Sequence, residues 1–404
     1  MALNVKVGLI GAFDMLKFKN MAKVREQAIQ AAPANEISGE FSVNRLAKEL
    51  HPDFQQLAVT EVIDREEAHA KTFVLSTYDG TPAPYFRAGQ YLSLKLDIGD
   101  SSLTRPYSIS SAPSKALEGS YEITVKENPS GFAADWLLSE LKEGDVITAS
   151  DPQGNFYYEK LRDPAEVIAL AGGSGVTPFL SMARAIAEGA EDFHLTLIYA
   201  CKKQSDVLFE REFNAIAEAC PKFKVLYLLE SEEKEGYEHG LITAELVKKY
   251  APEGEYAVFV SGPEAMMKYL KQELSPLGLP RRLLRFEMMP VTKNVMAEEG
   301  YPLEAVGKTF SLKVRQGDKS WEIPARADEP ILAALERAGI KAPSRCRSGE
   351  CGWCRSKLLS GEFFVPEENE FRRHEDIRFR YIHPCCTFPA SDLEIEVPGE
   401  YSPN

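Results

Sequence analysis

A chain of 404 residues, 44% hydrophobic and 27% charged, has material for roughly two to four cores and none of the bias of a fibrous or disordered protein. A net charge of −14 argues against a nucleic-acid partner. The uncharged apolar stretch Val7–Phe13 is too short to span a bilayer and lacks a small-residue cleavage site, so neither a transmembrane segment nor a signal peptide is expected.

Residues 1–51 read as an extension. Leu16–Ala32 has the pattern of a short amphipathic helix ended by Pro33, and Asn44–Leu50 that of another turn or two. A packing arm, against the body or a second subunit, is favoured over a membrane-surface role.

Residues 52–162 alternate apolar and polar positions. Leu57–Ile63, Lys71–Leu75, Tyr91–Leu96, Tyr121–Lys126 and Asp145–Ala149 predict short strands joined by turns rich in Gly, Pro and Asp. Their close spacing suggests a small antiparallel barrel, interrupted by a helical patch at Phe132–Leu141. Two runs stand out. Arg105-Pro106-Tyr107-Ser108 offers a guanidinium for phosphate, a phenol ring to lie along a ring system and a hydroxyl for a reactive ring edge. Gly131-Phe132-Ala133-Ala134 opens a helix whose backbone N–H groups could hold phosphate.

Residues 163–290 change to strand–helix–strand, predicting a doubly wound parallel sheet. Its strands are Val167–Ala171, His194–Ala200, Lys224–Leu229 and Ala257–Val260, with a helix over Pro178–Glu188. Gly172-Gly173-Ser174-Gly175-Val-Thr177-Pro178 follows the first strand. Its glycines allow close approach of a pyrophosphate, with Thr177 expected as N-cap and Pro178 in the first helical turn. Ser261-Gly262-Pro263-Glu-Ala-Met266 follows a later strand. Lys202 and Lys203 close the second strand where an acidic residue would favour NAD; they point toward NADPH, or are simply solvated beside Asp206. Glu287 ends the last strand, where it reads as an exposed charge unless it has a part in the chemistry. Cys201 and Cys220 are expected to be buried or idle thiols.

Residues 291–307 form a polar linker, and 308–404 hold Cys346-Arg-Ser-Gly-Glu-Cys351-Gly-Trp-Cys354 and, 31 residues on, Cys385. Four thiolates around two irons and two sulfides need three from one tight loop and one from elsewhere. C-x4-C-x2-C with a distant fourth is that plant-type [2Fe–2S] spacing. Gly349 and Gly352 would let the loop bring N–H groups toward sulfur. A zinc site fits less well, since only Cys351–Cys354 forms a short pair and Cys385 adjoins Cys386. Cysteines committed to iron argue for a reducing cytoplasm rather than disulfides. Residues 308–404 hold 15 Lys/Arg and 16 Asp/Glu, so −13 of the charge lies before them. Arg345, Arg347 and Arg355 crowd the cysteine loop. They would raise a cluster's potential, present a docking surface to an acidic acceptor, or merely offset charge.

Taken together, residues 52–404 resemble the ferredoxin–NADP reductase superfamily, in its three-module form of flavin barrel, nucleotide domain and C-terminal plant-type ferredoxin of β-grasp fold. Arg105–Ser108 resembles its R-x-Y-S flavin motif, and Gly131–Ala134 its phosphate-supporting G-x-x-S segment with the serine missing. Gly172–Pro178 resembles its NAD(P) loop, and Ser261–Met266 its C-G-P-x-x-M element with serine for cysteine. Cys385-Cys-Thr-Phe-Pro389-Ala-Ser-Asp392 is similar to the ferredoxin C-x3-P-x-S-D segment, favouring Cys385 over Cys386 as fourth ligand. The resemblance implies FAD, with FMN the alternative, and NADH, with NADPH the alternative. Ser108, Ser261 and Glu287 would stand at the hydride-transfer centre. Electrons would pass from flavin through the cluster to a separate acceptor protein, such as an oxygenase or another metalloenzyme. A stand-alone diaphorase with a non-essential ferredoxin domain is the alternative.

Overall fold

The computed structural model describes residues 21, 23–31, 41–128, 131–288 and 291–399. Residues up to Glu49 form a unit of their own. In it, residues 21 and 23–31 are helical and Ser42–Leu50 is a second helix, longer than the expected turn or two. Val7–Phe13, Leu16–Asn20 and Ala32–Pro33 lie outside the described residues. Among the described residues no helix is long and apolar enough to cross a membrane.

In the second unit, six antiparallel strands form the first sheet: Gln55–Arg65, Ala70–Ser76, Tyr91–Ile98, Ser101–Ser108, Ser120–Lys126 and Val146–Ala149. Ser101–Ser108 and Ser120–Lys126 are its two edges, and they meet beyond Ser108 through an Ile109–Ile123 bridge and the Ser110 N–H to Glu122 carbonyl bond, 2.8 Å. The sheet thus curls on itself around Leu57, Phe73, Leu92, Leu94, Tyr121 and Ile123. Ser101–Ser108 was not among the expected strands: its Ser, Thr, Arg and Pro content hides it, and pairing along the whole of Tyr91–Ile98 makes it.

The second sheet is wholly parallel, in spatial order Glu238–His239, Phe223–Leu229, His194–Cys201, Glu166–Gly172, Ala257–Ser261, Leu284–Phe286. Both faces are covered, so the central strands are continuously apolar. Val167, Ala169 and Ala171 face a core with helices Thr177–Ala187 and Glu210–Ala219, while Ile168 and Leu170 face Val247, Met267 and Leu270. The first of these cores does not stop at the sheet. Phe156 and Tyr158, from the chain leaving the antiparallel sheet, are part of it: Phe156 lies 5.7 Å from Phe179 and 5.4 Å from Phe259, and Tyr158 stacks on Phe193 at 4.1 Å.

The third sheet orders Lys319–Arg326, Thr309–Gln316, Leu393–Glu396, Ser356–Ser360 and Tyr381–Ile382, with helix Ile331–Arg337 packed on it through Ile331, Ala334 and Leu335. The linker expected to be merely polar is packed: Val295, Tyr301 and Ala305 share a small core with Ala327 and Phe388, and the Tyr301 hydroxyl donates to the Ala327 carbonyl.

Candidate active site and cluster loop

Arg105 sits mid-strand, opposite Leu94, and is half-buried. Its Nη1 donates to the Thr104 carbonyl at 2.8 Å, and it forms no ion pair among the described residues. Burial lowers its pKa to about 10. A desolvated guanidinium without a carboxylate suits a phosphate oxygen. Burial likewise raises the Tyr107 phenol to about 12, keeping it neutral. Gly131 is the N-cap of helix Phe132–Ser139; a Cβ there would meet Asn128 Cβ at 2.9 Å. Phe132 is exposed and Ala133 is buried in the barrel core, so only backbone from this segment can face a phosphate.

The two nucleotide-domain loops pack backbone to backbone. A Cβ on Gly175 would lie 2.6 Å from Gly262 Cα, and one on Gly172 would meet Met266 Sδ at 2.2 Å and Pro263 Cδ at 3.1 Å. Gly172, Gly175 and Gly262 therefore serve the fit of loop on loop, with Met266 as spacer. Gly173, at φ 52° with nothing within 4 Å of its Cβ position, and exposed Ser174 are the parts of the turn open to a ligand. Thr177 is not the N-cap. A 3₁₀ turn over Gly173–Val176 starts the helix early, so Thr177 is already helical (φ −56°, ψ −45°) and donates its hydroxyl back to the Ser174 carbonyl at 3.0 Å. Pro178 sits in the first turn. Lys202 and Lys203 are exposed, while Asp206 pairs with Lys126 at 3.1 Å. Cys201 is buried and its thiol is pushed up to about 11 by desolvation, an idle group; Cys220 is half-buried.

The barrel and nucleotide domain meet at Glu287. Ser108 Oγ donates to Oε1 at 2.8 Å, and Ser261 Oγ, fully buried, donates to Oε2. Desolvation raises the Glu287 pKa against the lowering pull of Ser261 and Ser108. Glu287 is thus no exposed terminal charge, and it brings together Ser108 from the barrel and Ser261 from the nucleotide domain, the three residues expected at the hydride-transfer centre. Beside them, Tyr91, Phe156, Arg285, Glu287 and Glu350 line one cavity. Glu350, next to Cys351, was not singled out by its sequence; its place between two cysteines of the loop was the available signal.

Gly349 (φ 92°) and Gly352 (φ 69°) turn the cysteine loop, and Arg347 (φ 58°) joins them unexpectedly. The Ser348 and Cys351 N–H groups donate to Cys346 Sγ, and Trp353 N–H to Cys351 Sγ, each at 3.4 Å. Hydrogen bonds from Cys351, then Cys385 and Ser348, hold the Cys346 thiol far below its ordinary range. Cys346 neighbours Cys351 and Cys385, and Cys385 neighbours Cys346, Cys354 and Cys386. The Cys386 thiol donates to the Asn369 and His383 carbonyls at 3.5 Å each. The donor set, the N–H groups on sulfur and the burial of all but Cys351 fit a [2Fe–2S] cluster.

Two of the three arginines near the loop turn inward. Arg345, 5% exposed, donates to the Asp53 carbonyl at 2.8 Å, lies 3.3 Å from Asp151 Oδ1 and stacks 3.6 Å over Trp353. Arg347 pairs with the buried Glu336. Neither is available to an acceptor. Thr104 and Ser344 share a buried hydroxyl–hydroxyl bond of 2.7 Å across the same seam.

Family models match three successive stretches: an oxidoreductase FAD-binding domain at 61–158, an oxidoreductase NAD-binding domain at 169–272 and a 2Fe-2S iron-sulfur cluster binding domain at 314–390. The glycine betaine monooxygenase reductase subunit of Chromohalobacter salexigens is 30% identical over 326 residues, covering 77% of this chain and 87% of that one. The chain belongs to the ferredoxin–NADP reductase superfamily, in its three-module form. The NADH oxidoreductase HCR of Escherichia coli is 29% identical over 333 residues, 82% of this chain and 94% of that one. Phthalate dioxygenase reductase shares the fold, with TM-score 0.62 at 24% identity over 86% of this chain and 98% of that one. This reductase is an NAD(P)H oxidoreductase with FAD, NAD and [2Fe–2S] modules that passes electrons to a separate acceptor.

Proposed function

We propose that the protein is the NADH-oxidising reductase component of an oxygenase system, working in the cytoplasm. Its modules would run over residues 52–162, 163–290 and 308–404. When bound, flavin supplies two-electron acceptance with one-electron release, and the iron–sulfur cluster supplies one-electron carriage. The chain orients these groups. Arg105 and the backbone after Gly131 would hold the flavin phosphates, with Tyr107 and Ser108 available to its ring. Gly173 and Ser174 would receive the nucleotide pyrophosphate, and Ser261 and Gly262 the nicotinamide. Cys346, Cys351, Cys354 and Cys385 would hold the cluster.

Glu287 gives the centre a proton store. As a carboxylate it accepts both serine hydroxyls; once protonated at one oxygen it would donate to a serine, freeing that hydroxyl for another acceptor. The observation that carries the reading is the single cavity lined by both Glu287 and Glu350, because it makes the hydride centre and the cluster loop neighbours. Anaerobic stopped-flow mixing of the holoprotein with NADH tests it. Flavin absorbance should bleach first and cluster absorbance next, with NADPH slower, and an oxygenase component should reoxidise the cluster. Flavin bleaching with cluster absorbance unmoved would sink the proposal.

A further inference from the structure

The segment between the third and fourth cysteines has no part in the chemistry above. Residues 371–380 read Phe-Arg-Arg-His-Glu-Asp-Ile-Arg-Phe-Arg, four arginines against two acids in a chain of net charge −14. Internal contacts occupy one of each. Arg372 Nε donates to Glu370 at 2.9 Å, and Asp376, buried, accepts from Arg355 and from the Arg373 backbone N–H. Arg373, Arg378 and Arg380 are exposed and form no ion pair among the described residues. Beside them, Phe371, Ile377 and Phe379 are 40%, 54% and 50% exposed. The anchoring of Asp376 explains this: with one side of the single turn His374–Arg378 tied down, its neighbours are left facing solvent.

This island adjoins the one exposed cysteine of the cluster loop. Cys351, Phe371, Arg373, Glu375, Asp376 and His383 line a single depression. On its wall His383 Nε2 is buried without a hydrogen-bond partner.

We propose that residues 371–380, with Cys351 at their edge, are the docking face for the electron acceptor, and that the acceptor is a protein bearing an apolar patch rimmed by carboxylates. The proposal rests on the electron-output reading above. Charge complementarity selects the occupant. An acidic partner is repelled by most of this acidic chain and drawn to its basic island. Exposed phenylalanines supply the desolvated centre of such a contact and arginines its rim.

The test uses the reconstituted holoprotein with two haem-protein probes, acidic cytochrome b5 and basic cytochrome c, and ferricyanide as a small acceptor. At low ionic strength the R373E/R378E variant should reduce cytochrome b5 on the order of tenfold more slowly than wild type. That gap should close as salt rises, R373K/R378K should behave as wild type, and NADH–ferricyanide activity should be equal in all three. Equal cytochrome b5 rates in wild type and R373E/R378E overturn the docking face while leaving electron output intact. A wild type that reduces ferricyanide but neither haem protein overturns the output reading and this proposal together.

Discussion

The two seams of this reductase are built from different materials. Between barrel and nucleotide domain the contact is a continuous apolar core, with Phe156 wedged between Phe179 and Phe259 and Tyr158 stacked on Phe193. Its rim is an ion network in which Arg285 and the exposed Arg162 share the buried Asp163, at 2.9 and 3.0 Å. Between barrel and ferredoxin module the contact is polar: Arg345 on Asp53 and Asp151, Thr104 on Ser344. Area removed from water supplies most of the hold of the first, whereas the second depends on hydrogen bonds whose net worth is small. Hydride transfer needs rings held in fixed contact; a one-electron step tolerates a looser joint. The stronger seam lies where the tighter geometry is needed.

Substitutions can break or sharpen this contrast. Phe156→Ala should have the largest effect, destabilising the protein by about 3–5 kcal/mol, as emptied aromatic core sites do. A urea titration reads it, and a cost under about 1 kcal/mol would mean the apolar seam is not a shared core. Arg345→Ala should cost about 1–3 kcal/mol, because Asp151 loses a charged partner. Stopped flow should show flavin reduction by NADH at the wild-type rate and cluster reduction slowed; slowing of both steps equally would deny the seam its separate role. Gly175→Ala forces a methyl to 2.6 Å from Gly262 Cα. It should cost about 1–3 kcal/mol by overpacking, read as a raised KM for NADH with cluster reduction per flavin electron unchanged.

The smallest effect expected is the pH dependence of Glu287→Gln. The folded pKa of Glu287 is raised by desolvation above the ordinary 4.5. Its contribution to stability is therefore present below pH 4.5 and is lost as pH climbs from there through the raised value. The variant, having nothing to ionise, should gain on wild type over that interval and hold the gain above it. Partial exposure of the residue limits the difference to about 1 kcal/mol or less. Paired urea titrations at pH 4 and pH 8 would show it; a difference independent of pH would place the Glu287 charge elsewhere than in this desolvated junction.

Much of the fold was legible locally. Continuous apolar runs such as Val167–Ala171 announced parallel strands, and alternation announced most of the antiparallel sheet, because burial on one or both faces writes itself into a strand's own residues. Ser101–Ser108 escaped because its strand character comes from its partner. The site was legible as motifs rather than as a place. Arg105, Ser108, Ser261 and the four cysteines were marked by spacing, while Glu287 had an equal reading as a solvated charge until the two serines were seen on it. The early start of the helix after Gly173 moved the cap that Thr177 was expected to supply. The arginines of the cysteine loop were open to three readings, since nothing in their own sequence says that Arg345 meets Asp151 across the seam or that Arg347 meets Glu336 within the ferredoxin module.

By itself the sequence determined which carriers the chain can hold and in what order, since thiolate spacing, glycine turns and strand periodicity are properties of neighbouring residues. Tertiary structure alone decided what those groups face: which glycines serve loop packing, which arginines are clamps, and which carboxylate the two serines share. Orientation depends on contacts between residues from different elements, some almost three hundred positions apart, and no local pattern records them.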